Sequence, residues 1–326
     1  CNRDEDMISI NKHAVKRVKE LIAQVETLGC KYYKLANGTH VIDMGISVPG
    51  GWEAAKIFTE IDMACMGTCS FRDFPLNDQI SVSAVEVFID NLELACIASQ
   101  MAGLRLAEGE FSVIASGPAR ALARADDDTH IKLTTYTDKY HQAVLGITAK
   151  RLPDETFSEK AARVCRVRPE NLFLLMHSFN CTVCSVQVSA RIVEQAINQM
   201  MLNNFAIDQL VSARGYCVVA PTAPDELKSM GWVNDSLLYG GKAVFWVKSA
   251  DEEIERVISN LVTESADDYG RLFIEMFEEA GRDFYAMDLS IHSPAMVQII
   301  NMNSGNTFTA GSIRKDILLK SFFNIY

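Results

Sequence analysis

Arg191 and Glu194 stand three residues apart in an apolar run at residues 185–197, Ser-Val-Gln-Val-Ser-Ala-Arg-Ile-Val-Glu-Gln-Ala-Ile. On a helix, that spacing brings a guanidinium and a carboxylate to one face. Ile192, Val193, Ala196, Ile197 and Met200 supply enough apolar surface to bury much of the same helix. Partial burial pushes a carboxyl toward its neutral form, and an adjacent arginine pulls it back toward the charged one. A carboxylate held between these influences can take a proton from water and return it. The same spacing also suits an ordinary intrahelical ion pair.

Three other places could bind or react. Ser116-Gly117-Pro118-Ala119-Arg120 follows a short apolar stretch and opens an alanine-rich one. Gly117 permits a tight backbone, Pro118 suits a first helical turn, and free N–H groups there, with Arg120 beside them, would hold a phosphate or carboxylate. A plain strand-to-helix turn would carry the same residues, and the chain has neither a P-loop nor a dinucleotide fingerprint. Residues 231–236 and 265–270 read as polar, glycine-bearing loops, where ligand contacts commonly sit. Asn234, Asp235 and Ser236 offer donors and acceptors suited to the amide and amino groups of a heterocycle, although turn formation would also explain them.

The third place is a cysteine pair. Nine cysteines are scattered along the chain, an odd number that reads as reduced thiols in a cytoplasmic setting. Cys181 and Cys184 have redox or metal-ligand spacing, and His177 lies four residues before Cys181. A metal site built on those three is one reading. Buried thiols acting as small hydrophobes is the other, and the expectation is that no metal is bound.

The elements that must position these groups follow from periodicity. Apolar residues at helical spacing predict helices over 10–25, 52–66, 94–104, 158–165, 224–230, 251–258 and 272–280, besides the one carrying Arg191. Strands are predicted at 31–35 and 39–44 around an Asn37-Gly38 turn, then at 80–89, 111–114, 143–152, 172–176, 237–239 and 243–247, with a β-rich end at 295–301 and 307–309. That alternation predicts α/β layers. At 326 residues two domains are expected, an N-terminal one over 1–165 and a C-terminal one over 166–326, divided near Pro153 and Pro169.

Composition narrows the partners. The chain is 48% hydrophobic and 22% charged, which is ordinary for a globular protein. A net charge of −11 argues against a nucleic-acid surface or an anionic membrane, both of which want clustered lysine and arginine. No apolar run reaches the roughly 18 residues that span a bilayer. The polar start at residues 1–6 gives no sign of a secretion signal, and Met7 reads as a natural start.

Taken in order, the motifs resemble one family. They are Asn37-Gly38; Asp43, Gly45 and Val48-Pro49-Gly50; Ala95-Cys96, Ser99-Gln100 and Ala102-Gly103; Ser116-Gly117-Pro118-Ala119-Arg120-Ala121; and Pro169-Glu170-Asn171. Further on come Ser185-Val186-Gln187 with Arg191-Ile192-Val193-Glu194; Met230-Gly231 with Asn234-Asp235-Ser236; Asp268-Tyr269-Gly270; and Asp283-Phe284-Tyr285 with Asp288. This series looks like methenyltetrahydromethanopterin cyclohydrolase, in register from Met7 to Tyr326. The chain departs from the pattern at Ala98 and Ala115, where glycine is expected, at Asp267, where an arginine is usual, and across the Met176–Cys184 segment.

The resemblance implies an α/β protein of two α/β domains with the active-site cleft between them. It implies reversible hydrolysis of N5,N10-methenyl-tetrahydromethanopterin to N5-formyl-tetrahydromethanopterin, a step of one-carbon metabolism such as methanogenesis. Glu194 would activate water and Arg191 would orient it. Ser116, Gly117, Arg120, Gln187, Asn234, Asp235, Ser236 and Tyr269 would bind the pterin carrier. No cofactor or metal is implied, and the enzyme would be a cytoplasmic homo-oligomer, a trimer. The alternative is a non-catalytic pterin-binding paralogue, which the reversed charge at Asp267 would suit.

Overall fold

The computed structural model describes residues 8–283 and 286–325; the expected start at Met7, the Phe284-Tyr285 pair and Tyr326 lie outside the described residues. The chain opens α1 (Ile10–Ile22), β1 (Lys31–Lys34), β2 (His40–Asp43), α2 (Trp52–Asp62), β3 (Gly67–Pro75), β4 (Ser81–Ile89), a π-helix (Glu93–Gln100), β5 (Leu104–Glu108), β6 (Phe111–Ser116) and α3 (Arg120–Ala123). It continues with β7 (Ala143–Thr148), α4 (Glu155–Val164), β8 (Leu172–His177), α5 (Thr182–Ser189), α6 (Ile192–Leu202), β9 (Leu210–Val218) and α7 (Glu226–Gly240). Then follow β10 (Gly241–Val247), α8 (Asp251–Ile258), α9 (Phe273–Glu279), β11 (Met296–Asn301), β12 (Thr307–Gly311) and α10 (Lys315–Phe323).

Two compact units divide the chain, one of Cys1–Gly67 with Glu93–Ser178, the other of Thr68–Leu92 with Phe179–Tyr326. Each is an α/β layer structure around a six-stranded sheet. A single cut at residue 165 divides the strands differently. Residues 68–92 carry β4, which pairs antiparallel with β9 more than 120 residues later, and no local composition shift announces a pairing so distant in sequence.

The first sheet has the order β1-β2-β8-β7-β6-β5. Its centre, β2, β8 and β7, is parallel. β8 is buried at every position, as expected where helices cover both faces of a parallel sheet. Phe157, Ala161 and Ala162 of α4 pack in one cluster with Leu145, Ile147, Leu172 and Leu174. A Cβ at Gly146, on the other face, would come within 2.8 Å of the Phe58 ring of α2.

The second sheet runs β12-β11-β10-β9-β4-β3; β10 and β11 are parallel, and β11–β12, β9–β10 and β4–β9 are antiparallel. One face carries α6, whose Ile192 and Val193 are fully buried. Closeness requires glycine here: a Cβ at Gly215 of β9 would lie 2.6 Å from Ile192 Cγ2 and 2.9 Å from Val193 Cγ2. Gly215→Ala should therefore cost about 1–3 kcal/mol by overpacking. The melting temperature should fall accordingly. A variant with unchanged stability would show that α6 shifts without resistance.

Helix α10 and strands β3, β5 and β9 were not anticipated, and the predicted β-rich end closes on a helix. The predicted helix at 224–230, loop at 231–236 and strand at 237–239 are one continuous helix, α7. Gly231 and the Asn-Asp-Ser run read locally as punctuation. In the fold their side chains are satisfied from the helix itself and from its neighbours, so the helix continues.

Candidate active site

Arg191 and Glu194 sit at a junction between two helices. Cys181 caps α5, and Ala190 and Arg191 interrupt the helical path. Arg191, at φ −77° and ψ 3°, then caps α6. The carbonyl of Arg191 accepts from Gln195 N–H at 2.8 Å, which starts α6. Glu194 falls in the first turn of α6, where the partial positive charge of a helix start favours a carboxylate. Periodicity predicted one helix here; the break leaves the three-residue register intact. Ile192, Val193, Ala196, Ile197 and Met200 are fully buried, as that register predicted.

Arg191 bridges the two helices. Its Nε donates to Gln187 Oε1 at 2.9 Å in the last turn of α5. Its Nη1 lies 3.9 Å from Glu194 Oε2, with the two side chains 14% and 16% exposed. The Gln187 bond fixes the guanidinium plane. As a stabilising pair, Arg191 and Glu194 are worth little, roughly 0–1 kcal/mol. Spacing alone does not single out Gln187 as the partner of Arg191, although four residues is a helical neighbour distance.

The other expected ligand residues divide between the two units. In the first, Gly117 has φ +103° and a Cβ there would meet Val144 O at 3.1 Å, so the tight turn was legible. The open cradle of N–H groups was not realised. Gly117 N–H donates to Ser99 O, Ala119 to Val144 O, Arg120 to Gly117 O and Ala121 to Pro118 O. Ser116 Oγ donates to Asp62 Oδ1 at 2.7 Å, 54 residues away in sequence, a partner that no local signal marks.

Arg120 is fully buried. Its Nε and Nη2 grip the Asp128 carboxylate at 2.7 and 2.8 Å, and Nη1 donates to the carbonyls of Ile97 at 2.9 Å and Ser99 at 3.3 Å. A tail contact by Arg120 would have to break this set.

In the second unit, Asn234 Nδ2 donates to Met230 O and Ser236 Oγ to Trp232 O, each one helical turn back. Asp235 faces the core, where Oδ1 accepts from Phe273 N–H at 2.8 Å and Oδ2 from Ser321 Oγ at 2.6 Å. Burial pushes its pKa up to about 7 from an ordinary 3.8, against the two hydrogen bonds that pull it down. The sign follows from linkage. A folded-state pKa above the unfolded one means the fold holds the proton, so this contribution is full below about pH 3.8 and is lost as pH rises to about 7. Asp235→Asn keeps both contacts without the charge. Its melting temperature should exceed that of the parent above neutrality, and the difference should shrink steadily down to about pH 4. Parallel melting curves with a constant offset across that range would refute the assignment.

Tyr269 Oη accepts from Arg314 Nη1 at 3.2 Å, and that guanidinium lies 5.5 Å from the ring centroid. His177 is buried, with Nδ1 at 3.1 Å from Ser178 O and Nε2 at 3.4 Å from Thr148 Oγ1. Among the described residues, no three His, Cys, Asp or Glu side chains come together as a metal-binding group. The eight described cysteines are thiols, and no described helix is long and apolar enough to cross a membrane.

The fold is two α/β units, and the second carries an arginine and a glutamate at a helix start. The sequence profile of the family described as Cyclohydrolase (MCH) matches residues 9–322. The chain is 33% identical over 321 residues to the methenyltetrahydromethanopterin cyclohydrolase of Methanothermobacter marburgensis, covering 97% of this chain and 99% of that one. It is 34% identical to the enzyme of that name from Methanocaldococcus jannaschii, over 97% and 98% of the two chains. Against that of Methanococcoides burtonii it is 32% identical, again over 97% and 98%. The chain belongs to the methenyltetrahydromethanopterin cyclohydrolase family.

Proposed function

We propose that this chain catalyses the reversible hydrolysis of N5,N10-methenyl-tetrahydromethanopterin to the N5-formyl compound, with Glu194 as the proton carrier. The observation that supports it is the Gln187–Arg191–Glu194 arrangement in a chain that matches the family along nearly its whole length. The methenyl carbon belongs to a cationic amidinium and is already electrophilic. The reaction then needs a base to draw a proton from water and an acid to protonate N10 as its bond to carbon breaks. One carboxylate can do both in turn. Arg191 holds that carboxylate through the long contact, and Gln187 holds Arg191.

This chemistry calls for no cofactor and no metal. Among the residues proposed to bind substrate, Asn234 and Tyr269, both part-buried, are the better direct contacts, while Gln187 is buried and already bonded to Arg191. Ser116, Gly117, Arg120, Asp235 and Ser236 act by shaping the scaffold, given their burial and the bonds they already make. The resemblance adds a homotrimer and a cytoplasmic location to the reading.

The test is turnover of methenyl-tetrahydromethanopterin, followed by loss of its near-ultraviolet absorbance, before and after chelator treatment. Equal rates support the reading. Binding without turnover would identify a pterin-binding paralogue, and loss of rate on chelation with recovery on zinc would overturn the metal-free mechanism.

A further inference from the structure

The Cys181–Cys184 pair lies on the same stretch of chain as the proposed proton carrier. Cys181 occupies the cap of α5, where its Sγ accepts from Cys184 N–H at 3.4 Å. The sulfur of Cys184 is three bonds from that same nitrogen, so the two sulfurs share one neighbourhood. Residues three apart at a helix start also meet the Cα separation that a disulfide requires.

The two thiols have different surroundings. Cys184 is fully buried, whereas Cys181 is 7% exposed and sits at the cap of α5. Burial, and then the neighbouring Cys181, push the Cys184 thiol strongly upward; the Gln187 side chain and Arg191 oppose this. Cys184 and Gln187 stand three residues apart on α5, on one face of the helix. Gln187 in turn accepts from Arg191, and Arg191 faces Glu194. Positions 184, 187, 191 and 194 therefore form one continuous polar line, three or four residues per step, from a dithiol to a carboxylate.

We propose that Cys181 and Cys184 form a reversible disulfide that lowers turnover by withdrawing the Cys184 sulfur from Gln187 and so releasing Arg191. This rests on the cyclohydrolase reading and adds a regulation to the same site. With a low-molecular-weight disulfide such as oxidised glutathione as oxidant, the Cys181 thiolate attacks one glutathione sulfur and expels a glutathione thiolate, which takes up a proton. The Cys184 thiol then gives its proton to solvent and attacks Cys181 Sγ. That forms the protein disulfide and releases the second glutathione. Two protein thiols are oxidised and one external disulfide is reduced. Dithiothreitol reverses both steps.

The experiment equilibrates the full-length protein in graded ratios of reduced to oxidised glutathione, traps thiols by alkylation, maps them by mass spectrometry and measures turnover on the same samples. The expected result is a 181–184 disulfide whose appearance tracks a fall in rate of roughly ten- to a hundredfold, the size associated with misplacing a catalytic group. Dithiothreitol should restore the rate. Cys181→Ser, which leaves the buried thiol in place, should keep the reduced rate and lose the response. Cys181→Ala provides a second variant should the serine disturb the cap.

Absence of a 181–184 disulfide when other cysteines have reacted overturns the proposal. So does a disulfide that forms without changing the rate. If the fully reduced protein shows no turnover, the functional reading fails, and the alkylation map alone decides whether the disulfide exists.

Discussion

Glu194→Gln should fold, bind pterin and lose most of its turnover, by ~10²–10⁴-fold, the usual share of a general base. The amide keeps the shape of the side chain at the start of α6, and the carboxylate it replaces is 16% exposed with a long 3.9 Å ion contact. Stability should therefore change by less than about 1 kcal/mol. What is lost is the capacity to hold a proton between water and N10. Single-turnover kinetics with methenyl-tetrahydromethanopterin, alongside a melting curve, separate the two effects. If the variant keeps more than about a tenth of the parental rate, Glu194 does not carry the proton. If it melts much earlier, the lost rate reflects a displaced helix.

The second large effect is on stability. Arg120→Ala should destabilise the protein by about 3–5 kcal/mol, because it leaves the Asp128 charge buried without its partner. Both side chains are essentially inaccessible, at 0% and 1% exposure. Two backbone carbonyls, of Ile97 and Ser99, lose a donor at the same time. The Asp128 carboxylate also accepts from Ile131 N–H, so the disturbance reaches the loop after α3. Arg120→Met with Asp128→Leu should recover much of the loss, since a buried pair replaced as a unit by apolar groups leaves no orphaned charge. Urea unfolding of the Arg120→Ala variant and of the double variant measures this directly. A single variant of parental stability with a raised KM would return Arg120 to the role of substrate contact.

Arg120 shows where a reading of the chain alone stops. Its local setting, a glycine turn opening an alanine-rich stretch, is what an anion site would need, and the turn itself was legible because Gly117 permits φ above zero. Whether the N–H groups point at a ligand or at neighbouring strands depends on β7 and the π-helix, which supply Val144 O and Ser99 O from elsewhere in the chain. Asp235 makes the same point. An Asn-Asp-Ser run is turn chemistry in isolation, but in the fold the carboxyl caps Phe273 and binds Ser321, and α7 runs straight through it.

Sequence by itself determined the layer class, most of the amphipathic elements, the burial of Ile192, Val193, Ala196, Ile197 and Met200, and the register of Arg191 with Glu194. Each is set by the period of a helix or strand, which acts over a few residues. Only the tertiary structure decided that β4 pairs with the distant β9. It also decided that Gly215 lets α6 settle against the sheet, that Gln187 fixes Arg191, and that Arg120 and Asp235 turn inward. Those outcomes depend on which distant groups arrive to satisfy a buried donor, acceptor or charge.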